Sequence, residues 1–251
     1  GRARRAHADD GAAAGCGVSA RPVLFNGAMV RAILAGAKTQ TRRLVKPAQG
    51  QQAAWLTPAL LNMSPRAEIV KGGAQFDHPS GGPLTWVRSP VAPGDDLWVR
   101  ESAYIAPPHF GDRNATDLID DKGHPRVVGY AASMDADAVR CAHDYGVKLT
   151  PSIHMPRWAS RLTLRVTSVR VERLHAITED DARCEGIRGY TRGGTPRYAP
   201  GGRGGSEWPW EECQPTAREA FAKLWRDING AESWEANPWV WVVSFERGGA
   251  K

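Results

Sequence analysis

The feature that most constrains this chain is one long alternation, RLTLRVTSVRVERL, from Arg161 to Leu174. Leu162, Leu164 and Val166 fall on one side and Thr163, Arg165 and Thr167 on the other, the period of two of a half-buried strand. The phase slips near Ser168, where a bend or bulge is expected. A second β-prone run, Pro238 to Phe245, lies far away near the end of the sequence. The helical patterns between them are short and do not alternate with strands one for one. That excludes a βαβ sheet and predicts an α+β protein built on a small mixed β-barrel with long loop insertions.

The remaining elements follow from local signals. NGAMVRAILA, Asn26 to Ala35, places Met29, Ile33 and Leu34 at helical spacing, with Asn26 as N-cap and Gly36 as stop. After the turn Pro93-Gly94-Asp95, Leu97, Val99 and Glu101 alternate with Trp98, Arg100 and Ser102, predicting a strand over Asp96 to Tyr104. Val127 to Tyr130 reads as a short strand. Thr178 to Cys184 reads as a helix, with Asp181 three residues after its Thr178 cap. Thr216 to Ile228 carries Ala220, Phe221, Leu224 and Trp225 on one helical face. Gln49 to Pro93 and Ile105 to Pro151 read as largely irregular. Gly186 to Ser206, with no acidic residue and with Arg188, Arg192, Arg197 and Arg203 among glycines, reads as a mobile loop. The expectation is a flexible tail over 1–20 and one domain over 21–247, with insertions at about 49–92, 105–151 and 186–215.

Charge narrows the partners. Lys plus Arg number 33 against 27 Asp plus Glu, a net +6 made mostly of arginine, whose planar fork matches phosphate oxygens. Ten tryptophans supply core area or faces on which bases stack. The four cysteines lie far apart without C-x-x-C spacing, so free thiols are expected. Asp180 and Asp181 have no His or Cys beside them, so neither metal nor cofactor is expected. No apolar run approaches the roughly 20 residues that span a bilayer, and the first twenty residues lack the apolar centre of a secretory signal. A cytoplasmic protein without a membrane partner is the expectation.

Two stretches concentrate chemistry. In LAGAKTQTRR, Leu34 to Arg43, Lys38 and Thr41 share one side only if the chain makes a helical or tight turn. A lysine there either lowers the pKa of the hydroxyl or serves as its base. The same residues also make a solvated basic turn at a helix C-terminus, where the macrodipole favours cations. In HMPRWASR, Arg157, Trp158 and Arg161 set two guanidiniums around an indole, suiting a stacked base with phosphates at its edge. His154 is a candidate to donate or accept a proton, and Arg42 and Arg43 extend the basic face. Alternatively Trp158 is core and His154 caps the incoming strand.

These pieces resemble a known family. GAKTQTRR, Gly36 to Arg43, is similar to the G-x-K-x-x-x-R signature of the ASCH domain, a PUA-like β-barrel associated with RNA and modified nucleosides. PGDDLWV (Pro93 to Val99), VERLHAITEDDARCEG (Val171 to Gly186) and WVVSFE (Trp241 to Glu246) resemble further family elements in the same order. SIHMPRWASRLTL, Ser152 to Leu164, resembles a segment of a larger subgroup often carried by prophages. One branch is similar to a small amidohydrolase that deacylates N4-acetylcytidine. By that resemblance Thr41 is the nucleophile or orients water, Lys38 is its base, and Glu185 carries a proton to the leaving amine. The chain departs from that branch in being more than twice as long. The resemblance also admits a metal-independent ribonuclease using Lys38 with His154 or Glu185, and a non-enzymatic module that binds RNA, DNA or a modified nucleoside.

Overall fold

A computed structural model describes residues 20–46, 64–70, 73–77, 85–106, 122, 124–201 and 208–248. In chain order, β1 (Ala20–Leu24) leads into α1 (Gly27–Leu34) and β2 (Gln40–Leu44). Then come β3 (Ser64–Val70), β4 (Gly73–Asp77), β5 (Thr85–Arg88), β6 (Asp96–Arg100), β7 (Ala103–Ile105) and β8 (Val127–Tyr130). The helix α2 (Ala136–Asp144), β9 (Leu149–Thr150), β10 (Thr163–Arg173) and α3 (Glu179–Cys184) follow. The chain continues through β11 (Ile187–Arg192), β12 (Thr195–Pro200), α4 (Ala217–Asn229) and β13 (Trp239–Arg247).

The protein is α+β, centred on a five-stranded sheet of order β1-β6-β10-β13-β2. Its spine is the antiparallel pair β10·β13, which slips register between Val166 and Ser168 as the sequence phase predicts. One face packs Phe25, Val30, Ile33, Leu97, Val99, Leu164, Trp241 and Val243 beneath α1. The other packs Val240 and Val242 against Phe221 and Trp225 of α4 and Ala182 of α3. No helix among the described residues is long and apolar enough to cross a membrane.

The expected closed barrel is not formed among the described residues. β1 and β2 are opposite edges of the sheet and do not pair. Their residues nevertheless come within the reach of one side chain, because Arg43 Nη2 of β2 donates to Leu24 O of β1 at 2.8 Å. A side chain bridges the gap that a backbone ladder would close in a barrel.

The caps are where the sequence puts them. Asn26 Oδ1 accepts from Met29 N, and Thr178 with Asp181 forms a reciprocal capping box. The stretches expected to be irregular carry structure. The first holds the sheet β3-β4-β5, and the second the sheet β8-β7-β9 with α2. The expected Arg/Gly loop is, over its described part, the hairpin β11–β12. Gly193 and Gly194 both take positive φ at its two-residue turn, the conformation such turns demand. Arg203 and the tail 1–19 lie outside the described residues.

Candidate functional site

Lys38 and Glu185 are brought together by backbone pairing. The segment after α1 runs antiparallel to the end of α3, so that Lys38 bridges Glu185 and Thr39 N donates to Cys184 O. Gly186 permits this approach. It sits at φ +96°, and a Cβ there would lie 3.3 Å from Lys38 Cβ and 3.1 Å from Ala32 Cβ.

From Lys38 onward the chain is extended, not the helical turn expected. Even-numbered residues therefore point one way, and Lys38, Gln40 and Arg42 all face α3. Lys38 Nζ lies 2.8 Å from Glu185 Oε2 and 2.9 Å from Glu185 O. Gln40 Nε2 donates to Asp181 Oδ1 at 3.1 Å. Arg42 Nη1 reaches Glu185 Oε1 at 3.2 Å, while Nη2 reaches Glu172 at 3.2 Å and Asp181 at 3.1 Å. Arg170 pairs with Glu172 and, at 3.1 Å, with Asp181. Three cations thus balance three carboxylates, as buried charge requires.

Burial pushes the Lys38 pKa below its ordinary value, and the neighbouring Glu185 offsets only part of that loss. At Asp181 partial burial works upward, but the hydrogen bond from Gln40 and the charges of Arg42 and Arg170 outweigh it. The carboxyl is held below its ordinary range.

A cavity of about 410 Å³ opens along the outer edge of β2. Both faces of the strand line it, Thr41 and Arg43 from one and Arg42 and Leu44 from the other. Thr39 O accepts from Phe245 N and Val45 N donates to Trp239 O, so odd-numbered residues bond β13. Arg42 and Leu44 therefore turn their peptide groups to the unpaired edge. Glu185 closes the polar wall, and Phe221, Trp225 and Trp241 supply aromatic surface. Among the described residues the Thr41 hydroxyl has no hydrogen-bond partner, and neither has Nε of the wholly buried Arg42 side chain.

The expected catalytic trio is therefore joined in two steps. Lys38 contacts Glu185, and Glu185 shares the cavity with Thr41. Lys38 is fully buried and gives its amine to Glu185 rather than to Thr41. Arg42, expected on a phosphate-binding face, is buried and held by carboxylates; Arg43 is exposed. No group of three or more metal-ligating side chains occurs among the described residues.

The second expected site is rearranged. Arg161 turns inward, with Nε 2.8 Å and Nη2 3.0 Å from the two oxygens of buried Glu101, and it lies 4.0 Å over the Tyr130 ring. Glu101 continues the inward phase of Leu97 and Val99, and an arginine fork is what neutralises it. The indole flanked by two guanidiniums is Trp98, with Arg100 at 5.6 Å and Arg157 at 5.5 Å. Trp158 instead stacks on His124 at 4.9 Å, and His154 is exposed. The cavity's aromatic walls and Arg88 were missed from sequence; the amphipathic face of α4 was visible, but nothing marked it as lining a cavity rather than core.

No protein-family model, curated protein or solved structure matches the chain.

Proposed function

We propose that the chain is an ASCH-type, PUA-like domain that binds a modified nucleoside in the β2-edge cavity and hydrolyses an N4-acyl group from its cytosine. The observation that carries this reading is the Glu185 carboxyl, held by Lys38 and Arg42 in the cavity that the unbonded Thr41 hydroxyl lines from the other face of β2. Aromatic surface suits a ring, and the volume falls in the range of small-ligand sites.

In this reading Thr41 orients a water and Glu185 takes its proton as the oxygen bonds the acyl carbon. The resulting oxyanion lies in the field of the Arg42 guanidinium, which is buried behind Glu185. The C–N4 bond then breaks, and Glu185 returns the proton to the leaving amine. The products are a carboxylic acid and unmodified cytidine. Lys38 touches no substrate; it fixes the orientation of Glu185.

The test is release of acetate from N4-acetylcytidine by the purified protein. Glu185→Gln should slow turnover by about 10²- to 10⁴-fold. No turnover of any N4-acyl cytosine substrate overturns the hydrolytic reading. Binding without turnover would favour a recognition module.

A further inference from the structure

The exposed part of the cavity lining is charged in one sense only. Arg43, Lys46 and Arg88 all line the cavity and are all exposed. Among the described residues none of the three forms an ion pair. Arg43 spends one N–H on Leu24 O and lies over the Phe25 ring, 5.5 Å from its centroid. The single carboxylate on the walls is Glu185, which Lys38 and Arg42 already neutralise. The deeper cations are thus matched by carboxylates, whereas the rim cations are not.

This contrast matters because the interior needs no anion. Phe221, Trp225 and Trp241 offer apolar, aromatic surface from α4 and β13. A ligand that satisfied only this interior would be a neutral ring compound. The rim would then hold three uncompensated charges at the entrance, contributing nothing. A ligand with a ring at one end and a dianion at the other uses both.

We infer that the cavity takes a phosphorylated nucleotide in preference to the bare nucleoside, with the ring against Phe221 and Trp225 of α4 and the phosphate on Arg43, Lys46 and Arg88. This rests on the nucleoside reading above and adds to it the form of the substrate. The phosphate belongs either to a free nucleotide or to the end of an oligonucleotide, since both present the same dianion to two guanidiniums and an ammonium.

Titration calorimetry on the full chain tests it with N4-acetylcytidine, its 5′-monophosphate, and a short single-stranded RNA carrying the same residue at its 5′-phosphorylated end. The nucleotide should bind at least about tenfold more tightly than the nucleoside, with the difference shrinking as salt rises. In Lys46→Ala/Arg88→Ala the ratio should fall below about threefold, since exposed side chains at a rim can be removed without unfolding the protein. Tighter binding of the RNA than of the nucleotide assigns the phosphate to a polymer, and equal binding assigns it to the free nucleotide. Equal affinity for nucleoside and nucleotide overturns the inference and leaves the nucleoside reading standing. So does a preference that survives the double substitution. Absence of binding by all three removes the nucleoside reading, and this inference with it.

Discussion

Glu101 and Glu185 are both buried, at 1% and 4% exposure, and both are met by arginine. Their surroundings differ. Glu101 receives both arms of a single fork from Arg161, with Met155 packed against its backbone N–H. Glu185 receives one hydrogen of Lys38 and one of Arg42, and it lines a cavity. A bidentate pair in packed surroundings has one arrangement and nothing left to offer. A carboxyl held by two separate cations beside open space keeps lone pairs for a ligand. The comparison separates a structural carboxylate from a chemical one on geometry rather than on burial.

The largest expected effect comes from breaking the structural pair. Glu101→Ala leaves a partly exposed Arg161 guanidinium, which cannot shed its proton, with only the Ser133 hydroxyl and the Tyr130 ring, and should cost about 3 kcal/mol in urea denaturation. Turnover per folded molecule should stay unchanged. A loss below about 1 kcal/mol would show that water replaces Glu101 at Arg161 and that the two sites are alike.

Glu185→Ala should cost less, about 2–3 kcal/mol, because Lys38 can discharge and Arg42 keeps Glu172 and Asp181. The pH dependence sharpens this. Burial already depresses the Lys38 pKa in the folded state, so the unfolded chain binds the extra proton and stability rises with pH. Removing Glu185 removes the one interaction with Lys38 that opposes the depression. The deficit of the variant should therefore narrow between pH 7 and the ordinary lysine range. A deficit that stays constant over that window would mean Lys38 remains charged.

What the sequence showed follows the same division. Asn26 and Thr178 were legible as caps because a cap is encoded within four residues of itself. The slip at Ser168 was legible because phase is local. The Lys38–Glu185 pair spans 147 positions, and no local pattern names a partner; only family resemblance put the two residues together. Arg161 was misjudged for the complementary reason. Its neighbours Arg157 and Trp158 are surface-facing, and the residue that turns it inward, Glu101, is sixty positions away. The helix α2 escaped notice because Ala142 is its one fully buried residue, which leaves no apolar stripe. The hairpin β11–β12 escaped because its arginines and glycines resemble low complexity, although Gly193-Gly194 between two alternating runs was a readable turn.

The smallest effect tests the outer part of the Glu185 network. Asp181 accepts from Gln40, Arg42 and Arg170 while remaining partly exposed, so it belongs to neither extreme of the comparison. Its pKa is lowered on folding, so the folded state holds the deprotonated form. The stabilisation is present above the ordinary carboxylate range and is lost as pH falls through the folded value. Asp181→Asn should therefore cost about 1.5 kcal/mol at neutral pH, the scale of one charge-assisted hydrogen bond, and almost nothing in acid. Urea midpoints for wild type and variant should converge as pH drops, with wild type falling faster. Parallel curves would show that Asp181 contributes shape rather than charge. In that case Arg42 leans on Glu172 and Glu185 alone, and the charge balance around the cavity is narrower than three against three.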